Sequence, residues 1–106
     1  MAEINDNIVS LGTELKVNIS MEPMDGHTLA SAEWFCEFYT KRIKAKVEKG
    51  DAIMVDDNNF ICAIDSRVVG RGELMAHIEV QIPDSDFGDG YRTEALTFST
   101  GINIEV

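Results

Sequence analysis

Proline and cysteine are scarce in this 106-residue chain, with two of each. Two prolines and eight glycines exclude a collagen-like or proline-rich disordered chain. Two cysteines are too few for a disulfide-stapled scaffold, and a zinc site needs more ligands. Neither His27 nor His77 stands at ligand spacing from Cys36 or Cys62. No apolar run approaches the ~18 residues of a membrane span. Basic residues are in short supply: nine Lys and Arg against nineteen Asp and Glu leave a net charge of −10. A domain this acidic repels phosphate backbones and anionic lipid, so neither nucleic acid nor a membrane is expected as partner. The opening MAEINDNIVS has no basic segment followed by an apolar one, so no secretory signal is expected. A cytoplasmic chain with reduced thiols follows, each thiol behaving as a small buried hydrophobe. A Cys36–Cys62 bridge between facing sheets is the minority alternative.

What is present suffices for one core. Hydrophobic residues make up 44% of the chain and charged residues 26%, which argues against disorder. At this length folding removes roughly two-thirds of the unfolded surface from water, so one domain can stand without staples. Residues 1–12 are polar and read as a flexible N-terminal leader, and residues 13–106 as a single domain.

Strict alternation dominates the domain. Leu15, Val17, Ile19 and Met21 point one way, with Glu14, Lys16, Asn18 and Ser20 opposite, which is a half-buried strand. The longest such signal sets Leu74, Ala76, Ile78, Val80 and Ile82 against Glu73, Met75, His77, Glu79 and Gln81, and Pro83 stops it. Shorter strands are expected over 52–55, 60–64, 92–99 and 102–106. The stretch 31–49 is ambiguous. Phe35, Tyr39, Ile43 and Val47 recur at the helical i+4 spacing, with Ser31 and Gly50 as caps. Against a helix, residues 42–48 alternate charge with apolar side chains, and the aromatics favour strands. Trp34, Cys36 and Phe38 are even-numbered and Ile43, Ala45 and Val47 odd, so a break near 39–41 is expected. About seven antiparallel strands at near ten-residue spacing predict an all-β fold, an immunoglobulin-like β-sandwich.

Candidate sites are few. Asp84, Asp86 and Asp89, in IPDSDFGDGYRTE, are the candidate metal ligands. Their spacing does not fit an EF-hand, however, because Asp89 occupies the position that needs glycine and Ala95 the one that needs glutamate. A structural loop is favoured: Pro83 ends the strand, Gly88 and Gly90 take positive φ, Phe87 anchors from beneath, and Arg92 and Glu94 share one strand face. From there Arg92 reaches an Asp carboxylate as a fork. Asp56, Asp57, Asn58, Asn59 and Asp65 form a second acidic zone, favoured as a solvated turn over a sugar or metal site. Trp34 is a core residue by its aromatic setting, although an exposed Trp would stack on carbohydrate. Lys44 and Lys46, with Lys41, Arg42 and Lys49, form the one basic patch, able to meet an acidic loop of a second copy. No cofactor motif or catalytic constellation is visible, and no enzyme is expected.

The loop IPDSDFGDGYRTE, with FICAID at 60–65, VGRG at 69–72 and TGINI at 100–104, resembles a small family from prophage structural regions of gut bacteria. The layout is also similar to the immunoglobulin-like N-terminal domains of phage baseplate upper proteins. That resemblance implies a tail or baseplate structural module, assembled in the host cytoplasm and carried in the virion, that grips protein subunits, homo-oligomers included, without cofactor. A baseplate upper protein continues into a long C-terminal region, whereas this sequence stops at Val106. A carbohydrate- or Ca-binding module is the alternative. Sheet edges are where such a module docks, and the closing strand with Ile102, Ile104 and Val106 is the expected docking edge.

Overall fold

The computed structural model describes residues 7–24 and 26–105. The chain is all-β, as its alternation predicts. Eight strands run in order: β1 (Ile8–Ser10), β2 (Glu14–Ser20), β3 (Glu33–Tyr39), β4 (Lys44–Glu48), β5 (Ile53–Asp56), β6 (Asn59–Asp65), β7 (Gly72–Pro83) and β8 (Tyr91–Glu105). One sheet has the order β1-β8-β7-β3-β4 and the other β2-β6-β5. Every pairing is antiparallel except that of β1, which runs parallel to β8.

Period-2 patterning becomes the core directly. Leu15, Val17 and Ile19 of β2 and Phe60, Cys62 and Ile64 of β6 line the smaller sheet. Trp34, Cys36 and Phe38 of β3 face them with the five even-numbered apolar residues Leu74–Ile82 of β7. Trp34 meets Phe60 edge-on across the two sheets, ring centroids 5.0 Å apart and planes at 77°. Each large side chain so buried contributes roughly 1.5–3 kcal/mol, less where the unfolded chain already hides it.

The ambiguous stretch 31–49 resolves as two strands. Phe38 is buried on β3 and Val47 on β4, so the inward parity changes across the link at 40–43. The i+4 recurrence of Phe35 and Tyr39 has another origin. Both rings lie on the outer face, under the Lys46 and Lys44 ammonium groups at 4.3 and 5.6 Å from the ring centroids. Extended chain satisfies both patterns at once, since aromatics and lysines become cross-strand neighbours.

Four features differ from the sequence reading. Ile8–Ser10, assigned to the leader, is a strand against Asn103–Glu105. The two segments expected over 92–99 and from 102 onward join as one strand, β8, as far as Glu105, with an irregular register between Ser99 and Asn103, where Gly101 takes φ +81°. A short helix, α1 (Ser66–Val69), fills the 65–72 connection. Asp65 caps it by accepting from the Arg67 backbone N–H, and buried Ser66 Oγ accepts from Gly12 N at 2.8 Å. Finally, the loop before β3 buries Leu29 completely. Its polar backbone is accounted for: Trp34 Nε1 donates to Leu29 O, Leu29 N donates to Asn58 Oδ1, and Lys49 Nζ donates to Ala30 O and Ala32 O.

Candidate functional site

The acidic loop is built as a backbone turn. Asp84 N donates to Gly90 O at 2.8 Å, and Gly90 N donates to Phe87 O at 2.9 Å. The carboxylates stabilise the same turn, with Asp84 Oδ1 accepting from Asp86 N and Asp89 Oδ1 from Tyr91 N. Arg92 forks as its strand position allows, donating from Nε to Asp84 at 3.2 Å and from Nη1 to Glu94 at 2.7 Å. Glu94 also accepts from Met24 N, tying the loop after β2 to β8. Two expectations fail here. Phe87 is half exposed rather than tucked beneath the loop, because the turn is closed by its own backbone hydrogen bonds and does not need the ring as an anchor. Only Gly90 takes positive φ; Gly88 does not. Among the described residues, no group of three or more His, Cys, Asp or Glu is arranged to hold a metal ion, Asp84, Asp86 and Asp89 included.

The second acidic zone is likewise a turn. Asp56 accepts from the Asn59 side chain at 2.8 Å and from Asn58 N at 3.0 Å, and these bonds hold its carboxyl below the usual range. A depression of about 540 Å³ opens beside it, lined by Ser20, Glu22 and Asp56–Asn59. Asp65 stands apart, at the head of α1, lowered chiefly by its bonds from the Arg67 side chain. Another shallow depression, about 510 Å³, lies along the β2–β6 pairing at Glu14–Lys16 and Ala63–Asp65. Trp34 retains 4% of its surface, so it presents no stacking platform for a sugar.

One polar constellation escaped the sequence reading. On the outer face of the larger sheet, His77 Nδ1 lies 2.7 Å from Thr97 Oγ1, and Nε2 lies 2.9 Å from Glu79 Oε2. In the neutral tautomer with the proton on Nε2, the ring donates to Glu79 and accepts from Thr97 at Nδ1. The sequence spacing hid this, since register alone sets Thr97 opposite His77. The order hydroxyl, imidazole, carboxylate is that of a nucleophilic triad, but none of the three lines either depression. Its evident effect is to lace β8 to β7.

Cys36 and Cys62 are free and wholly buried. Burial pushes the Cys36 thiol up to about 12, helped by the nearby Cys62, and burial alone raises Cys62 to about 11. Neither is a nucleophile in the folded chain.

The sheet edges are the most distinctive surface. Lys44 and Lys46 of β4 are exposed, and each has an acidic neighbour: Glu37 at 3.7 Å and Glu48 at 3.4 Å. The chain then crosses to the smaller sheet through the single 3₁₀ turn Lys49–Asp51, so β4 and β5 are neighbouring edges. On β5, Ile53, Met54 and Val55 are all more than half exposed, and Ile43 ahead of β4 is more so. The expected docking edge at the C-terminus is a correction. Ile102 and Ile104 pack into the core, and β1 occupies the edge beside Asn103–Glu105; Val106 lies outside the described residues. Alternation alone does not tell a strand flanked on both sides from one at a margin.

No helix among the described residues is long and apolar enough to cross a membrane. Comparison with family models, curated proteins and solved structures yields no match for this chain.

Proposed function

We propose that this chain is a non-enzymatic structural or assembly module that works by protein contact, of the kind found in phage tails and baseplates. The observation that carries the reading is the β4–β5 margin, where the chain passes from the edge strand of one sheet to that of the other, leaving Lys44 and Lys46 exposed on β4 and Ile53, Met54 and Val55 bare on β5. Met54 pairs with Phe60 and so belongs to the inward face, yet the larger sheet does not reach it. An extended apolar segment of another subunit laid along β5 would gain backbone hydrogen bonds and cover these three side chains. Apolar residues collected at one margin of an otherwise acidic surface are typical of protein docking.

The phage assignment rests on the sequence resemblance. We read the fold as immunoglobulin-like in the same spirit: β2-β6-β5 facing β8-β7-β3-β4, with a buried Trp on the third strand, supports it. The test is calorimetry of the purified chain against a panel of phage tail and baseplate subunits. Binding to one of them that weakens at least tenfold in Ile53→Lys/Val55→Lys, with thermal stability retained, is the expected result. Silence against all of them, or binding indifferent to β5, overturns the proposal.

A further inference from the structure

The opposite margin of the larger sheet has its own vacancy. β8 pairs with β7 along nearly its whole length, but on its other side only Asn103–Glu105 carry a strand among the described residues. Among the described residues no strand pairs with the edge from Tyr91 to Gly101, which is bounded by the Gly90 turn at one end and by β1 at the other. Eleven residues at ~3.3 Å each make a margin of roughly 36 Å, regular in register as far as Ser99. It lacks several of the usual guards against pairing, with no Pro, no Lys and no bulge before Ser99, and keeps one, the inward-facing charges of Arg92 and Glu94. Its only charges are Arg92 and Glu94, of opposite sign and bonded to each other. Ala95–Thr100 is an uncharged run that favours strands.

The midpoint of that margin is Leu96, whose side chain is the anomaly of the strand. Its register partner Ile78 is 1% exposed on the same inward face, while Leu96 is 44% exposed. We propose that this edge takes a second copy of the chain, β8 pairing antiparallel with β8 about a two-fold axis at Leu96. Centring at Leu96 gives the longest overlap the two boundaries allow, and it stacks the two uncovered leucines on each other. Glu94 then lies opposite Phe98, and Arg92 opposite Thr100, so no like charges face one another across the axis. Each copy carries −10, and this strand segment, net neutral, is where two such bodies meet with least repulsion. The proposal stands apart from the β4–β5 margin and survives the loss of partner binding there.

Sedimentation velocity of the full chain over a hundredfold concentration range tests it, with amide exchange on the same samples. Expected are a concentration-dependent dimer and rising protection of the 91–101 amides as it forms. Leu96→Lys and Leu96→Glu each abolish the dimer while retaining the circular dichroism of the parent, and mixing the two restores it as a heterodimer, because residue 96 faces its own mate. A strict monomer overturns the proposal. So does a dimer indifferent to both variants, or a mixture that stays monomeric. Protection of 91–101 that does not change with concentration also overturns it, since the chain's own residues ahead of β1 would then hold the edge.

Discussion

β7 and β8 are neighbours in one sheet, paired almost residue for residue, and yet they have different fates. A single row across the inner face makes the contrast: Leu96, Ile78, Cys36 and Val47 stand side by side on β8, β7, β3 and β4. Their exposures are 44%, 1%, 0% and 7%. All four are apolar and all point inward, so side-chain chemistry does not separate them. The two sheets overlap only in part: the inner face is covered as far as edge strand β4 at Val47, while the row is bare at its β8 end. Burial here is a property of what lies opposite, and the same leucine two strands along would be core.

The sharpest way to break the comparison is truncation at both ends of one register pair. Ile78→Ala leaves a cavity in a fully covered position and should cost about 2–5 kcal/mol. Leu96→Ala, its paired neighbour, should cost clearly less, about 1 kcal/mol, since nearly half of its surface is already in water. Urea denaturation of the monomer measures both. Equal losses would mean that Leu96 is covered after all.

An alkaline titration reports on the covered part of the row. A thiol ionises near 9.0 in the unfolded chain, but burial holds Cys36 near 12 and Cys62 near 11. Between pH 9 and 11 the unfolded state has released protons that the folded state keeps. Stability is therefore complete below pH 9 and falls above it, by up to about 1.4 kcal/mol per pH unit for each thiol, levelling off past the folded values. Urea midpoints from pH 8 to 11 should show this slope, and Cys36→Ala/Cys62→Ala should flatten it. A slope unchanged in the double variant would mean that the thiols ionise freely in the folded chain.

The smallest effect belongs at the other margin. Lys44 and Lys46 pair with Glu37 and Glu48 in solvent, and such pairs are worth little. Lys44→Gln/Lys46→Gln should move stability by less than ~0.5 kcal/mol. A larger loss would show that the lysine caps over Phe35 and Tyr39 hold β4 in place.

Strand character was legible where alternation is long. β2 and β7 can be read residue by residue, and the parity change between Phe38 and Val47 marks two strands within 31–49. Leu29 and Ser66 were not legible, because each is buried by a loop or cap that distant residues complete. The helix α1 is shorter than any periodic signal. In the acidic loop, the residue types announce a turn, and Arg92 and Glu94 share a face by parity. Whether Phe87 sits under that turn depends on space that only the folded chain defines. The His77 constellation needed the β7–β8 register, which no local pattern encodes.

Composition and alternation determined on their own that this chain builds extended strands with one oily and one polar face, since side chains alternate at every residue of a strand whatever surrounds it. Which of those oily faces would be covered was decided only when three strands settled over five, because hydrophobic burial is a relation between two surfaces. Bare Met54 on β5 and bare Leu96 on β8, beside which the two proposals are placed, follow from that partial overlap.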